Sequence, residues 1–162
     1  MSRLPGALLL LAAAGCGSKG AVAVTADVQS PSLAVSKGSV LARVLSGGFT
    51  LHLELGQVAP TPTEVSLQKA DLLRADDRSI LVAALRVTAT PSPPYHLEPG
   101  GKVDALVTVS DGSTAGGQQI LQTELDAICQ ALTVQISATV SDSATGRPTP
   151  VGSPTFEVAG CP

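Results

Sequence analysis

The sequence predicts an all-β fold, an antiparallel sandwich of seven to nine short strands with one candidate short helix. Segments in which apolar and polar residues alternate recur along the chain, and this period of two is typical of strands that bury one face. Clusters of Gly, Pro, Asp and Ser separate the segments, and these residues favour turns. Because the 162 residues include 16 glycines and 12 prolines, the turns are closely spaced, as in a two-layer β structure.

Alternating segments predict five strands in the first half of the chain. In the clearest one, Phe49 and every second residue to Leu55 are apolar while the residues between them are polar, so one face meets the core. The segment Asp71–Arg78 is predicted to be a polar turn. The strand after it is apolar on both faces near its start, which indicates a central position. The predicted strands are Ala21–Gln29, Leu33–Ser46 with a bend at Lys37 and Gly38, Gly48–Leu55, Val65–Lys69 and Ile80–Thr90.

The second half is predicted to contain three strands and the helix. Leu132–Ser141 alternates without error, whereas Pro150–Ala159 contains prolines that cannot donate to a ladder and is therefore an edge strand. Leu121, Leu125, Ile128 and Leu132 follow helical spacing, which predicts a helix over Gln118–Gln130. The remaining predictions are a loop over Pro91–Lys102, a strand over Val103–Ser110 and a loop over Asp111–Gly117.

The last two strands predict a disulfide bond. If their turn centres near Thr145, antiparallel partners have residue numbers that sum to about 290, so Val134 lies opposite Phe156 and Leu132 opposite Val158. Cys129 and Cys161 have the same sum, and in an oxidising compartment they are close enough to bond. The alternative is that these two thiols stay unpaired or bond to another chain.

Short strands with proline- and glycine-rich turns around a two-layer core resemble the immunoglobulin-like sandwich. The chain contains no tryptophan, whereas antibody domains pack one against their disulfide. The resemblance therefore implies the architecture alone.

The amino terminus resembles a secretory signal peptide. Arg3 precedes an apolar run from Leu4 to Ala14, and small residues follow. The run is shorter than the ~20 residues that a membrane-spanning helix requires. We therefore expect residues 1–15 to be removed from the mature chain.

The residues around Cys16 resemble the lipobox of bacterial lipoproteins, in which the cysteine is acylated and becomes the first residue of the mature chain. Ala14 and Gly15 match the pattern, whereas Ala13 stands where the family prefers leucine. The resemblance implies a lipid anchor on Cys16, a short tether over residues 16–20 and a sandwich domain over residues 21–162. Gly17, rather than aspartate, implies the outer membrane of the cell envelope. The alternative is cleavage by the general signal peptidase.

Composition limits the partners of the mature chain. Loss of Arg3 changes the net charge from −3 to −4, and a chain of this size forms one domain that needs no cofactor for its stability. Basic residues are scattered, and the aromatic residues are Phe49, Tyr95 and Phe156 alone, so the sequence argues against nucleic-acid binding. Membrane lipid, through acylated Cys16, is the predicted partner.

Polar residues suggest one binding loop. Tyr95, His96 and Glu98 lie in the predicted loop Pro91–Lys102 and could anchor a glycan or small ligand. His52 with Glu54 and His96 with Glu98 could each contribute to a metal site. Two ligands are too few for a metal site, however, and the simpler interpretation is that these side chains are solvated surface residues. No metal site is therefore predicted.

The sequence predicts a protein that is not an enzyme, because no nucleophile elbow, phosphate loop or EF-hand spacing is present. The leading hypothesis is a lipid-anchored envelope protein with a structural or interaction role. The alternatives are a glycan- or small-ligand-binding module, which requires an exposed Tyr95, and a hydrolase whose site the sequence does not reveal.

Overall fold

The computed structural model describes residues 24–38, 42–110 and 120–161. These residues form β1 (Val24–Lys37), β2 (Arg43–Leu55), β3 (Thr63–Arg74), β4 (Ile80–Val82), β5 (Val87–Thr90), β6 (Tyr95–Leu97), β7 (Lys102–Ser110), α1 (Gln122–Gln130), β8 (Val134–Asp142) and β9 (Pro148–Gly152). Sheet A has the strand order β1-β2-β7-β5. Sheet B has the order β4-β3-β8-β9, and β6 also pairs with β3. The pairing is antiparallel throughout both sheets, and the predicted all-β sandwich is confirmed. The immunoglobulin-like resemblance stays a prediction.

Several predicted features lie outside the described residues. They are the signal peptide, Cys16, the tether, the first residues of the predicted strand Ala21–Gln29 and the predicted loop Asp111–Gly117.

The hydrophobic core lies between the sheets and follows the predicted alternation. Alternate side chains of β2 and β8 point inward because successive residues of a strand face opposite sides. The buried residues of these strands are Leu45, Phe49, Leu51, Leu53, Leu55, Val134, Ile136, Ala138 and Val140. The helix α1 adds Leu125 and Ile128 to this core.

The predicted helix exists but is shorter than Gln118–Gln130. It begins at Gln122 and ends at Gln130, so Leu121 and Leu132 fall outside it. Leu121 is 61% exposed and Leu132 is 91% exposed. Their predicted inward placement is wrong, because helical spacing orients side chains only within the helix.

The predicted break between the first two strands is instead a bulge within β1. Pairing with β2 shifts by one residue between Gln29 and Ser32, and Ser30 has a φ of 48°. Opposite the bulge, a Cβ atom on Gly47 would lie 2.1 Å from the carbonyl oxygen of Ser32. Only glycine fits at this position, because the backbones approach so closely.

The predicted central strand Ile80–Thr90 is wrong. Its first part is β4 at the edge of sheet B, and its last part is β5 at the edge of sheet A. Between them the chain changes sheets at Ala84, which has a φ of 51°. Alternation does not reveal the change, because both sheets face one core and each half keeps an apolar inner face.

Asp71 lies within β3, so its predicted place in a polar turn is wrong. Its side chain binds the segment that crosses from one sheet to the other. Its carboxylate accepts a hydrogen bond from the backbone N–H of Ala84 at 2.8 Å and contacts Lys69 Nζ at 2.7 Å. The backbone N–H of Leu85 donates to the carbonyl oxygen of Ala70 at 2.7 Å. Residues Ala84 and Leu85 are thus bound to β3 by side chain and backbone.

The carboxyl-terminal segment joins the two sheets. Phe156 exchanges two backbone hydrogen bonds with Val134, as the predicted register requires. Farther along, Ala159 donates to the carbonyl oxygen of Leu33 at 3.0 Å and accepts from the N–H of Val35 at 2.8 Å. The predicted edge strand Pro150–Ala159 is therefore only partly correct, because the chain leaves β8 after Phe156 and pairs with β1.

Candidate functional site

The predicted binding loop contains a buried residue. Tyr95 lies in β6, opposite Val65 of β3, and is only 3% exposed. His96 and Glu98 are on the surface, with Nε2 of His96 3.1 Å from Oε1 of Glu98. A loop was predicted because Pro91–Lys102 is rich in proline and glycine. A three-residue strand forms within this segment instead, and its pairing with β3 directs the Tyr95 side chain into the core. Tyr95 cannot anchor a surface ligand. The hypothesis of glycan binding through this loop therefore fails, because it requires an exposed Tyr95.

The hydroxyl of Tyr95 is buried and has no hydrogen-bond partner among the described residues. Burial raises the pKa of this hydroxyl, since the charged form loses hydration.

Replacing Tyr95 with phenylalanine is expected to stabilise the protein by up to about 1 kcal/mol, because it removes a desolvated polar group and keeps the ring. By contrast, Tyr95→Ala should cost roughly 3 kcal/mol through the cavity that it leaves. Urea unfolding of the two variants measures both effects. A loss of more than about 1 kcal/mol in Tyr95→Phe would show that the hydroxyl is hydrogen-bonded in solution.

A polar row crosses the outer face of sheet A. His52 of β2 lies between Asp27 of β1 and Asp104 of β7 in the strand register. Its Nδ1 atom is 2.5 Å from Oδ1 of Asp104, and Asp27 accepts a hydrogen bond from the side chain of Gln29. In the next row, Lys102 Nζ lies 3.0 Å from Oε2 of Glu54.

The structure shows which carboxylate each of the two histidines contacts. The sequence grouped His52 with Glu54 as possible metal ligands, but the carboxylate that His52 contacts is that of Asp104, from a strand about 50 residues later. Within residues 24–38, 42–110 and 120–161, no group of three His, Cys, Asp or Glu side chains is arranged to hold a metal ion. His52 and His96 each contact one carboxylate on an exposed surface.

A cleft with both polar and apolar lining, which includes Asp142 and Thr149, opens beside the start of β1. It has a volume of about 310 Å³ and lies between the edge of sheet A and the β8–β9 hairpin. Its apolar lining comes mainly from Val24, Ala26, Val65, Val140 and Val151. The sequence does not reveal this cleft, because strands from both sheets form it.

The two downstream cysteines are bonded. The Sγ atoms of Cys129 and Cys161 are 2.08 Å apart, and their Cα atoms are 5.2 Å apart. Cys129 is in α1 and Cys161 follows the segment that pairs with β1. This agrees with the pairing inferred from the hairpin register.

No described helix is both long enough and apolar enough to cross a bilayer. Comparison of the chain with protein-family models, with curated proteins and with solved structures finds no match.

Proposed function

We propose that this protein is a lipid-anchored component of a bacterial cell envelope, held at the outer membrane by acylated Cys16, with a non-catalytic structural or interaction role. The observation that carries the proposal is the resemblance of the segment ending at Cys16 to a lipobox. The apolar run after Arg3 ends in Ala14, and Gly15 and Cys16 follow, which is the arrangement of an export signal followed by an acylation site.

The disulfide supports this proposal. The chain contains three cysteines, and Cys129 bonds to Cys161. The count therefore leaves Cys16 without a second cysteine to bond within the chain, and acylation accounts for it. A bond between the other two also fits an exported protein, because disulfides persist in oxidising compartments.

The position of β1 determines how far the sandwich can lie from the bilayer. β1 begins at Val24, eight residues after Cys16 along the sequence. Eight residues span at most about 29 Å. The Val24 end of β1, next to Leu55, is therefore the point from which the anchor extends, and the domain stays close to the headgroups.

The non-catalytic role is supported by the surface chemistry of the described residues. The polar side chains that the sequence suggested for chemistry are distributed over separate surfaces: His52 is on sheet A, and His96 is on β6 of sheet B. Each contacts one carboxylate, which is the arrangement of ordinary surface pairs.

Replacing Cys16 with serine tests the anchor. The mature wild-type chain should begin at Cys16, carry a mass increase equal to its acyl groups and sediment with membranes. Two or three acyl chains bind a bilayer far more strongly than one, at about 0.8 kcal/mol per buried methylene. The Cys16→Ser variant should lack the added mass and leave the membrane fraction, as mass spectrometry and fractionation measure.

The matched control is the double variant Cys129→Ala/Cys161→Ala, which removes the other two cysteines and should remain in the membrane fraction. An unmodified wild-type chain that begins at Gly15 would instead indicate the general signal peptidase and would contradict the proposal.

A further inference from the structure

Among the described residues, the first part of β1 has no hydrogen-bonded neighbour on its outer edge. Beyond the bulge, the backbone groups of Leu33 and Val35 face away from β2 and bond to Ala159. Before the bulge, β1 pairs only with β2 among the described residues. The open part of the edge runs from Val24 to Val28, and Val24 and Ala26 also line the cleft.

The backbone groups on this open edge can be identified from the ladder. Leu55 accepts from Gly100 and donates to Gly101, so both of its backbone groups face β7 and not its partner Val24. In an antiparallel pair the hydrogen-bonding direction alternates along the strand. The N–H and C=O groups of Val24, Ala26 and Val28 therefore point outward from the sheet.

Unpaired strand edges are sites at which another strand can add, and proteins usually protect them. β9, which borders the same cleft, is protected by Pro148 and Pro150. At the opposite side of the sandwich, the crossover from β4 to β5 joins the two sheets. The segment Val24–Val28 contains no proline and ends at the bulge.

We propose that this edge binds a second copy of the chain, and that the two β1 strands pair antiparallel about a two-fold axis at Ala26. The open segment Val24–Val28 is centred on Ala26, so this register pairs the whole segment. Val24 then lies opposite Val28 of the partner subunit, and the outward backbone groups of Val24, Ala26 and Val28 meet identical groups in hydrogen-bonding positions. The two A sheets become one continuous sheet.

Side-chain chemistry favours this register. On the outer face, Thr25 lies opposite Asp27 of the partner subunit, so a hydroxyl faces a carboxylate. Moving the axis one residue toward the bulge would place two Asp27 carboxylates opposite each other, which is destabilising. On the inner face, Val24 lines the cleft and gains an apolar neighbour when Val28 of the partner subunit lies beside it.

The arrangement goes beyond the proposed anchor and does not depend on it. The two-fold symmetric dimer is the commonest closed assembly of identical chains. Because Val24 is two residues from the axis, both chains would leave the interface within about 10 Å of it. The two chains leave the interface in opposite directions along β1, so if Cys16 is acylated both anchors enter one membrane when the eight residues from Cys16 to Val24 turn toward the same side in each copy.

Cysteine cross-linking tests the pairing and its register. Thr25 and Asp27 of the partner subunit would form a non-hydrogen-bonded pair, whose Cα atoms are about 4.5 Å apart, within the range for a disulfide. The variants Thr25→Cys and Asp27→Cys are made separately in the full mature chain, mixed and oxidised mildly. Peptide mapping identifies the bonds, and both substitutions lie on an exposed face.

The matched control is a mixture of Thr88→Cys and Thr90→Cys, which are exposed positions on β5, the other edge of sheet A. We expect the introduced thiol of a Thr25→Cys chain to bond to the introduced thiol of an Asp27→Cys chain. This bond should form at least about tenfold faster than any bond in the control, because pairing raises the effective concentration of the thiols. Sedimentation should show a concentration-dependent dimer of the unmodified chain. The proposal would be overturned if cross-linking proceeds at the control rate or if the unmodified chain is a monomer at all concentrations. It would also be overturned if bonds form only between two Thr25→Cys chains, or only to a different envelope protein.

Discussion

Removal of the disulfide is expected to lower the free energy of unfolding by roughly 3 to 4 kcal/mol, because the bond closes a loop with a sequence separation of 32 residues and restricts the unfolded chain. For a domain of this size the melting temperature should fall by about 10 °C. Cys129→Ala/Cys161→Ala is the variant to measure, by thermal and urea unfolding.

The loss should be concentrated where the carboxyl-terminal segment pairs with β1. In the double variant, hydrogen exchange at the amides of Val35 and Ala159, which hold that pairing, should accelerate more than exchange at Val134. The wild-type protein after reduction provides a second measurement, since it removes the bond without changing the sequence. A melting temperature within about 2 °C of the wild type would contradict the expected contribution of the bond.

Replacing Asp71 with alanine is expected to cost about 2 to 3 kcal/mol. The substitution leaves the N–H of Ala84 without its carboxylate acceptor, and hydrogen bonds to charged groups contribute more than neutral ones. It also releases the crossover that connects the two sheets. Asp76→Ala is the matched control, because Asp76 is exposed in the turn after β3 and bonds only to the amide of the next residue in the described contacts. Its cost should be within about 0.5 kcal/mol.

The contribution of Asp71 should depend on pH. Burial alone would raise the pKa of Asp71, but the hydrogen bond from Ala84 and the interactions with Lys69 outweigh burial, and the pKa is lowered. A carboxyl whose pKa is lower in the folded state contributes its full stability above the unfolded pKa of about 3.9 and loses it as the pH falls through the folded value. The stability difference between the wild type and Asp71→Asn should therefore decrease below about pH 4. A constant difference from pH 7 to pH 2 would contradict the role of the charge.

Local pattern predicted the elements whose neighbours lie close in sequence. β8 and the part of β2 from Phe49 to Leu55 alternate strictly, so their buried faces could be read directly. β2 begins earlier than the predicted strand Gly48–Leu55, at Arg43. The last hairpin closes through one turn, and counting from Thr145 brought the two cysteines together. The partners in the β8–β9 ladder sum to 289, one less than predicted, and the predicted sum of 290 is reached beyond the ladder, where Val134 lies opposite Phe156. Prolines placed β9 at an edge because they cannot donate to a ladder.

Elements that depend on distant partners were not predictable in this way. Asp71 looked like part of a polar turn, because the sequence does not show that Ala84 lies beside it. Tyr95 looked like a surface anchor, because three residues between prolines do not indicate a strand unless β3 is known to be there. His52 was paired with Glu54 by proximity in sequence, although Asp104 is its neighbour across the sheet.

The amino-acid sequence by itself determined the all-β class, the inward faces of the longest strands, and the lipobox resemblance on which the proposed location depends. Each of these follows from residues within one strand, one turn or one short signal. Only the tertiary structure decided which sheet receives each strand, that Tyr95 is in the core, and which part of β1 has no hydrogen-bonded neighbour on its outer edge among the described residues. Both sheets accept the same alternating pattern, so the choice between them is made by long-range pairing and by single contacts such as that between Asp71 and Ala84.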